Sequence, residues 1–185
     1  MNSLVNLNGS QVCFRKVEGA FFRAILAERV DFVLAPPTPE SAGRYHRPRQ
    51  AALYMSPTVD WAMIAVSGYM REDGRPRVVV PLLVSEAFVL DQHDEDVCRL
   101  LGIERDLSNA PWRPALAMGT EPPSWRNSDA ARAAGADGII DRSRMISGGW
   151  HVNLFRWNDF GGPSVSVCGE PIAIKLSQDG PHWGL

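Results

Sequence analysis

Gly43 to Val66 reads GRYHRPRQAALYMSPTVDWAMIAV, and the rest of the chain is best understood by its relation to this stretch. An arginine follows a glycine, a basic loop broken by Pro48 comes next, and a short apolar strand ends at Tyr54. A helix then opens at Ser56-Pro57. Serine caps helix N-termini well, and proline fits the first helical position because its missing N–H has no partner there anyway. Arg44 and Tyr54 thus stand at the two ends of one loop-strand unit, where a polar ligand can meet both. The same pattern also fits an exposed basic hairpin with Tyr54 in the core.

The 185 residues fit one domain, taken as 1–185 with a core from about 12 to 176. A net charge of −2 argues against bulk binding to nucleic acid or to an anionic membrane. Cys13, Cys98 and Cys168 are far apart and lack metal-ligand spacing, which reads as reduced thiols in a cytoplasmic protein. The N-terminal MNSLVNLNGSQ has neither a basic region nor an apolar run of the signal-peptide kind, and no stretch has the length of a membrane span.

Residues 1–11 read as a loose lead-in, and Val12 to Ile25 as two strands with a turn at Gly19. Asp31 to Pro39 becomes a Pro-rich loop. After the Ser56-Pro57 helix, Glu72 to Pro76 has turn chemistry, and Arg77 to Val84 reads as a buried strand in which Pro81 implies an edge or a bulge. Asp91 to Leu101 is a short helix capped by Asp91; its HDED run is a solvated helix start rather than a metal site. Ser108 to Asn127 is loop-rich with Trp112 and Trp125, and Ser128 to Gly135 is a small helix with a Ser cap. Strands follow at Gly138–Asp141, His151–Trp157 and Ile172–Leu176, with a turn at Ser147–Trp150. Short strands and helices in irregular order indicate an α+β domain.

The chemistry-bearing patterns are few. No GxSxG surrounds a serine, neither GxxxxGK[ST] nor GxGxxG occurs, and no acidic pair stands out. What remains is a set of ligand-type residues at strand ends: Arg23, Arg44, Tyr54 and Ser143. Arginine offers a planar fork for phosphate oxygens, and tyrosine can stack on a flat ring. Together they suit a dinucleotide held without a Rossmann fingerprint.

GRYHRPRQAALYMS resembles the "GGRW-N-x-P-G…ALYxS" signature of RES-domain proteins, toxins of bacterial toxin–antitoxin operons named for an Arg, a Glu and a Ser. Arg44 matches the arginine and Tyr54 the tyrosine that follows it. GADGIIDRSRMISGGWHVNLF is similar to the C-terminal motif, placing Ser143 on the serine and Asn153-Leu154-Phe155 on the closing strand. FFRAI around Arg23 resembles the opening "YRI" element. The resemblance implies a split mixed β-sheet with short helices, like the core of ADP-ribosyltransferase toxins, with a cleft for NAD as substrate and no metal.

It further implies cleavage of the nicotinamide–ribose bond. The ADP-ribose would pass to a protein, such as phosphoribosyl pyrophosphate synthetase, or to phosphate or water. The implied partner is a cognate antitoxin with a DNA-binding region that covers the cleft. In that scheme Arg44 and Arg23 bind the pyrophosphate, Tyr54 packs on the nicotinamide or its ribose, and Ser143 holds the ribose or amide, with Asn153 beside them. The family's glutamate falls on the helix, at the position held here by Ala65, so the resemblance implies a disabled form. Asp60 lies about 140° round the helix from Ala65, and Glu72 roughly 10 Å along it, so neither replaces the carboxylate. Two other classes stay open: a non-catalytic NAD-binding or partner-docking module, and a nucleic-acid binder using Arg44, Arg47 and Arg49.

Overall fold

The structure is a computed structural model that describes residues 3–7 and 10–175. Its strands are β1 (Ser3–Leu7), β2 (Ser10–Leu26), β3 (Leu53–Met55), β4 (Arg77–Asp91), β5 (Gly138–Arg142), β6 (Trp150–Leu154), β7 (Val165–Val167) and β8 (Ile172–Ala173). Its helices are α1 (Val59–Asp73), α2 (Glu95–Leu100), α3 (Arg105–Asn109), α4 (Trp112–Ala117) and α5 (Ser124–Ala133), with a 3-10 turn at Ala27–Phe32. The strand order is β1-β2-β4-β5-β6-β3, and β7 and β8 also pair with β4. Among the described residues only β4 and β5 run parallel. This is the mixed, split α+β sheet with short helices expected from the sequence.

Two features shape that sheet. Along the edge of β4 facing away from β2, Val89–Asp91 pairs with β5, Leu82–Val84 with β7 and Val78-Val79 with β8, so one long strand serves three partners. At the far side, Phe22 and Ser56 exchange two backbone hydrogen bonds of 2.8 Å, which bring the end of β3 back onto β2. The strands β2, β4, β5, β6 and β3 therefore curl into a ring. Alternate side chains feed two cores: Val80, Leu82, Ile140, Val152 and Leu154 pack in one, while Leu90 and Ile139 pack with Val97, Cys98, Ala131 and Ala134 of α2 and α5 in the other.

Several expectations change. The stretch read as a lead-in carries β1, paired antiparallel with the start of β2. Gly19 is a bulge inside one continuous β2 rather than a turn, since the register with β4 shifts there and its φ of 106° suits glycine alone. Pro81 lies within a central strand. Its carbonyl accepts the Cys168 N–H at 3.0 Å, so the N–H it lacks would face the same side, just beyond the last Leu82–Val167 pair of the β7 ladder, and not toward β2.

The helix read as opening at Ser56 is capped instead by Thr58, whose side chain accepts the Trp61 N–H, while Ser56 extends β3. It runs through Gly68 and stops at Gly74 in the left-handed conformation. Likewise Asp94, not Asp91, caps α2, and α5 begins at Ser124 rather than Ser128. The loop-rich stretch contains α3 and α4, β7 was not anticipated, and the last strand is confined to Ile172–Ala173, with Leu176 outside the described residues. Among the described residues no helix is long and apolar enough to cross a membrane, and no cluster of three or more His, Cys, Asp or Glu is placed to hold a metal ion.

Candidate functional site

A cleft of about 370 Å³ opens between α1 and the strand ends of β3, β5 and β6. Its floor follows from strand alternation. Tyr54 of β3 stands opposite Asn153 of β6, and Asp141 of β5 stands opposite His151, so these side chains share one face of the sheet. Ser56, just past β3, joins the second row, its hydroxyl 2.9 Å from His151 Nδ1. The row of polar residues continues the apolar face that Ile139 buries deeper in the domain.

The Gly43–Ala51 loop is fixed to this floor from behind by α5. Trp125 Nε1 donates to the Gly43 carbonyl (2.8 Å), Ser124 Oγ to the Arg44 carbonyl (2.6 Å), and Arg132 Nη2 to the Ala51 carbonyl (2.9 Å). Gly43 is required by close approach: a Cβ there would lie 2.9 Å from the Tyr54 hydroxyl and closer still to the His46 ring. That hydroxyl accepts the Tyr45 N–H at 3.0 Å and shares a 2.8 Å hydrogen bond with His46 Nδ1. Burial drives the Tyr54 pKa up, so the group stays a neutral phenol. Tyr54 is therefore anchored by its polar tip while its ring lines the cleft.

Arg44 Nη1 donates to the carbonyls of Ser108 and, at 3.4 Å, Ala110, whereas Nη2 is buried without a partner. Ser108 is itself set by a buried network in which its hydroxyl bonds Gln92 (2.6 Å) and Asn127 Nδ2 donates to that hydroxyl (2.8 Å). Burial, and then Arg144, lower the Arg44 pKa. A desolvated guanidinium with a free N–H edge is a strong site for an anion. Arg142 and Arg144 also line the cleft, which gives its mouth a cationic rim.

Ser143 follows β5 directly; its N–H donates to the Gly149 carbonyl (2.8 Å) and its hydroxyl accepts weakly from the Met145 N–H (3.3 Å). Asn153 donates to Asp141 Oδ1 at 3.2 Å and leaves its own Oδ1 buried and unpaired, a free acceptor. Burial holds His151 neutral, with a pKa of about 4, an effect that Arg44 reinforces. Burial does the same for His46, helped by Arg132 and Arg23.

The structure thus brings Arg44, Tyr54, Ser143 and Asn153 together. Ala65 also lines the cleft, from α1, beside Ala62, Val66 and Tyr69, so the helix register turns the expected position toward the cleft. Arg23 is not among the lining residues; its neighbours Phe22 and Ala24 are, and alternation along β2 turns Arg23 to the other side. Its Nε and Nη1 are buried without partners, and burial brings its pKa to about 10. The assignment of Arg23 to a pyrophosphate contact is therefore not met in this geometry. Glu72 is bound by Arg113 at 2.7 and 3.0 Å. Sequence reasoning missed Asp141, His151 and Ser56, which looked like ordinary strand and cap residues.

Fold and cleft together define a small α+β domain with a cationic, donor-lined ligand site between a strand wall and one helix. A family model described as RES domain matches residues 20–176, and the chain belongs to that family. Among solved structures, a chain of the M. tuberculosis MbcT–MbcA toxin–antitoxin complex shares the fold with a TM-score of 0.61 and 13% identity, over 87% of this chain and 86% of that one. No curated protein matches the chain.

Proposed function

We propose that the chain is the toxin of a toxin–antitoxin pair and that its cleft takes NAD, opening the bond between nicotinamide and ribose and passing ADP-ribose to an acceptor. The observation that carries this reading is the convergence of Arg44, Tyr54, Ser143 and Asn153 on one cleft within a RES domain. Arg44 offers its free Nη2 edge to the pyrophosphate, and the cationic rim draws the dinucleotide in. The Tyr54 ring supports the nicotinamide end. Ser143 and the open Oδ1 of Asn153 bond the ribose or the carboxamide.

Ala65 limits the rate, since its methyl group neither accepts a ribose hydroxyl proton nor offsets positive charge. The antitoxin, a protein with a DNA-binding region, covers the cleft by inserting a segment near Arg44 and Tyr54. Two features support a cytoplasmic protein with one RES domain over these residues: three well-separated thiols and a family match over residues 20–176.

Ala65 also favours a second reading, a module that binds NAD or a partner without turnover. Incubation of the parent and of Ala65→Glu with labelled NAD and cell lysate separates the two. Label on a protein band indicates a protein acceptor, and free ADP-ribose or its phosphate indicates a small one. Binding of NAD with no product from either form favours the binding module.

A further inference from the structure

Alanine at position 65 leaves α1 without a carboxylate at the cleft, yet one carboxylate lines the cleft among the described residues. Asp141 is the penultimate residue of β5, two positions before Ser143, and is 8% exposed. Tyr45 donates its hydroxyl to Oδ2 at 2.9 Å, and Asn153 donates its amide to Oδ1 at 3.2 Å. Both donors are neutral. Asp137, by contrast, is neutralised by Arg156 at 2.6 Å. A buried carboxylate held by neutral groups is unfavourable for stability, and such arrangements are concentrated at functional sites. Each of its oxygens has capacity for a further hydrogen bond.

We propose that Asp141 is the working carboxylate of this cleft, accepting a hydrogen bond from a hydroxyl of the nicotinamide ribose and countering the positive charge that develops on it. The assignment rests on the NAD-cleaving reading above. In the reaction the bond between ribose C1′ and the pyridinium nitrogen breaks, and both electrons leave with nicotinamide, which departs neutral. The cationic carbon is captured by an oxygen or nitrogen of the acceptor, whose proton passes to solvent. Asp141 remains ionised throughout and supplies charge rather than a proton.

Burial raises the Asp141 pKa to about 6, while Tyr45, Arg44, Asn153 and Arg144 pull it back down. The side chain is therefore ionised at neutral pH and protonated in mild acid. His151, directly across the ladder, is already neutral over that range, so the loss of rate on acidification belongs to Asp141.

The test compares NAD consumption by the parent, Asp141→Asn and Ala65→Glu, with NAD affinity measured alongside. Expected is a slow parent reaction that drops at least about tenfold in Asp141→Asn while affinity stays within about threefold. Where Asp141→Asn does not fold, the parent's own kcat/KM against pH decides: a fall below about pH 6 supports the assignment, and a flat profile overturns it. Unchanged turnover in folded Asp141→Asn, or an inert parent beside an active Ala65→Glu, overturns the role of Asp141 and leaves NAD cleavage standing. Absence of NAD binding and turnover in both the parent and Ala65→Glu removes the cleavage reading and this inference with it.

Discussion

On one side of the cleft, the strand ends and the Gly43–Ala51 loop present Arg44, Tyr54, Asp141, Ser143, His151 and Asn153; on the other, α1 presents Ala62, Ala65, Val66 and Tyr69. The first wall is polar, largely buried and cross-linked, with each functional group held by a second residue. The second has a single hydroxyl, that of Tyr69, and Ala65 is exposed at its rim. In the proposed reading the strand wall supplies what a dinucleotide needs in its ground state, a cation, a ring surface and hydrogen-bond partners, together with the one buried carboxylate, Asp141. The helix wall supplies nothing that strengthens as charge develops. Only interactions that are stronger in the transition state raise the rate, so binding and turnover are separable in this molecule.

The largest expected effect follows from charging the apolar wall. Ala65→Glu should raise NAD consumption by about 10²–10³-fold, the usual worth of one preorganised electrostatic contact, and make expression toxic without an antitoxin. Equal turnover in parent and variant, with both folded, would erase the contrast between the walls.

Next comes the strand wall. Arg44→Ala should weaken NAD by about 10- to 100-fold, because charge-assisted hydrogen bonds contribute roughly 1.5–3 kcal/mol. Arg44→Lys should recover only part, since a point charge lacks the two-pronged edge. Calorimetric affinities within about twofold of the parent would take Arg44 out of the site.

A smaller effect concerns pH. His46 and His151 hold pKa values of about 4 in the folded protein, against 6.5 for the free side chain. The unfolded chain therefore binds more protons between these values, and their contribution to stability is lost as pH falls from about 6.5 through 4. Asp141 acts with the opposite sign, since its folded pKa of about 6 exceeds the ordinary 3.8. Two histidines outweigh one aspartate, so the melting temperature should fall on acidification from pH 7.5 to 5, and replacing both histidines with glutamine should flatten that slope. A melting temperature that rises over this range would show the strand wall to be held otherwise.

The smallest effect is at Glu72, the carboxylate of α1 engaged by Arg113. Glu72→Gln should leave NAD turnover within about twofold, because the pair is exposed and neither residue lines the cleft. A larger loss would mean that the helix wall carries a working carboxylate after all.

What the sequence disclosed was what local chemistry dictates. Arg44 and Tyr54 were legible because Gly43 and the ALY strand fix their spacing within a few residues, and Ser143 because it closes a recognisable strand. Ala65 fell on the cleft-lining face because helix periodicity carries a register over three turns. Asp141 was hidden inside an apolar GIID strand, its meaning arising from Tyr45, 96 residues earlier, and from Asn153 on the next strand. The closure of β3 onto β2 depends on the Phe22–Ser56 bridge, so Ser56 looked like a helix cap. Helices as short as α3 and α4 span too few turns to show an apolar period, and Pro114 within α4 disguised it further.

In the proposed reading the strand wall alone makes a competent NAD site. Calorimetric titration of NAD into the parent chain tests it most directly, because slow turnover leaves the binding visible. Saturable binding is expected at one site per chain, weakened in Arg44→Ala and unchanged within about threefold in Ala65→Glu. A folded parent chain that shows no saturable heat with NAD would contradict it.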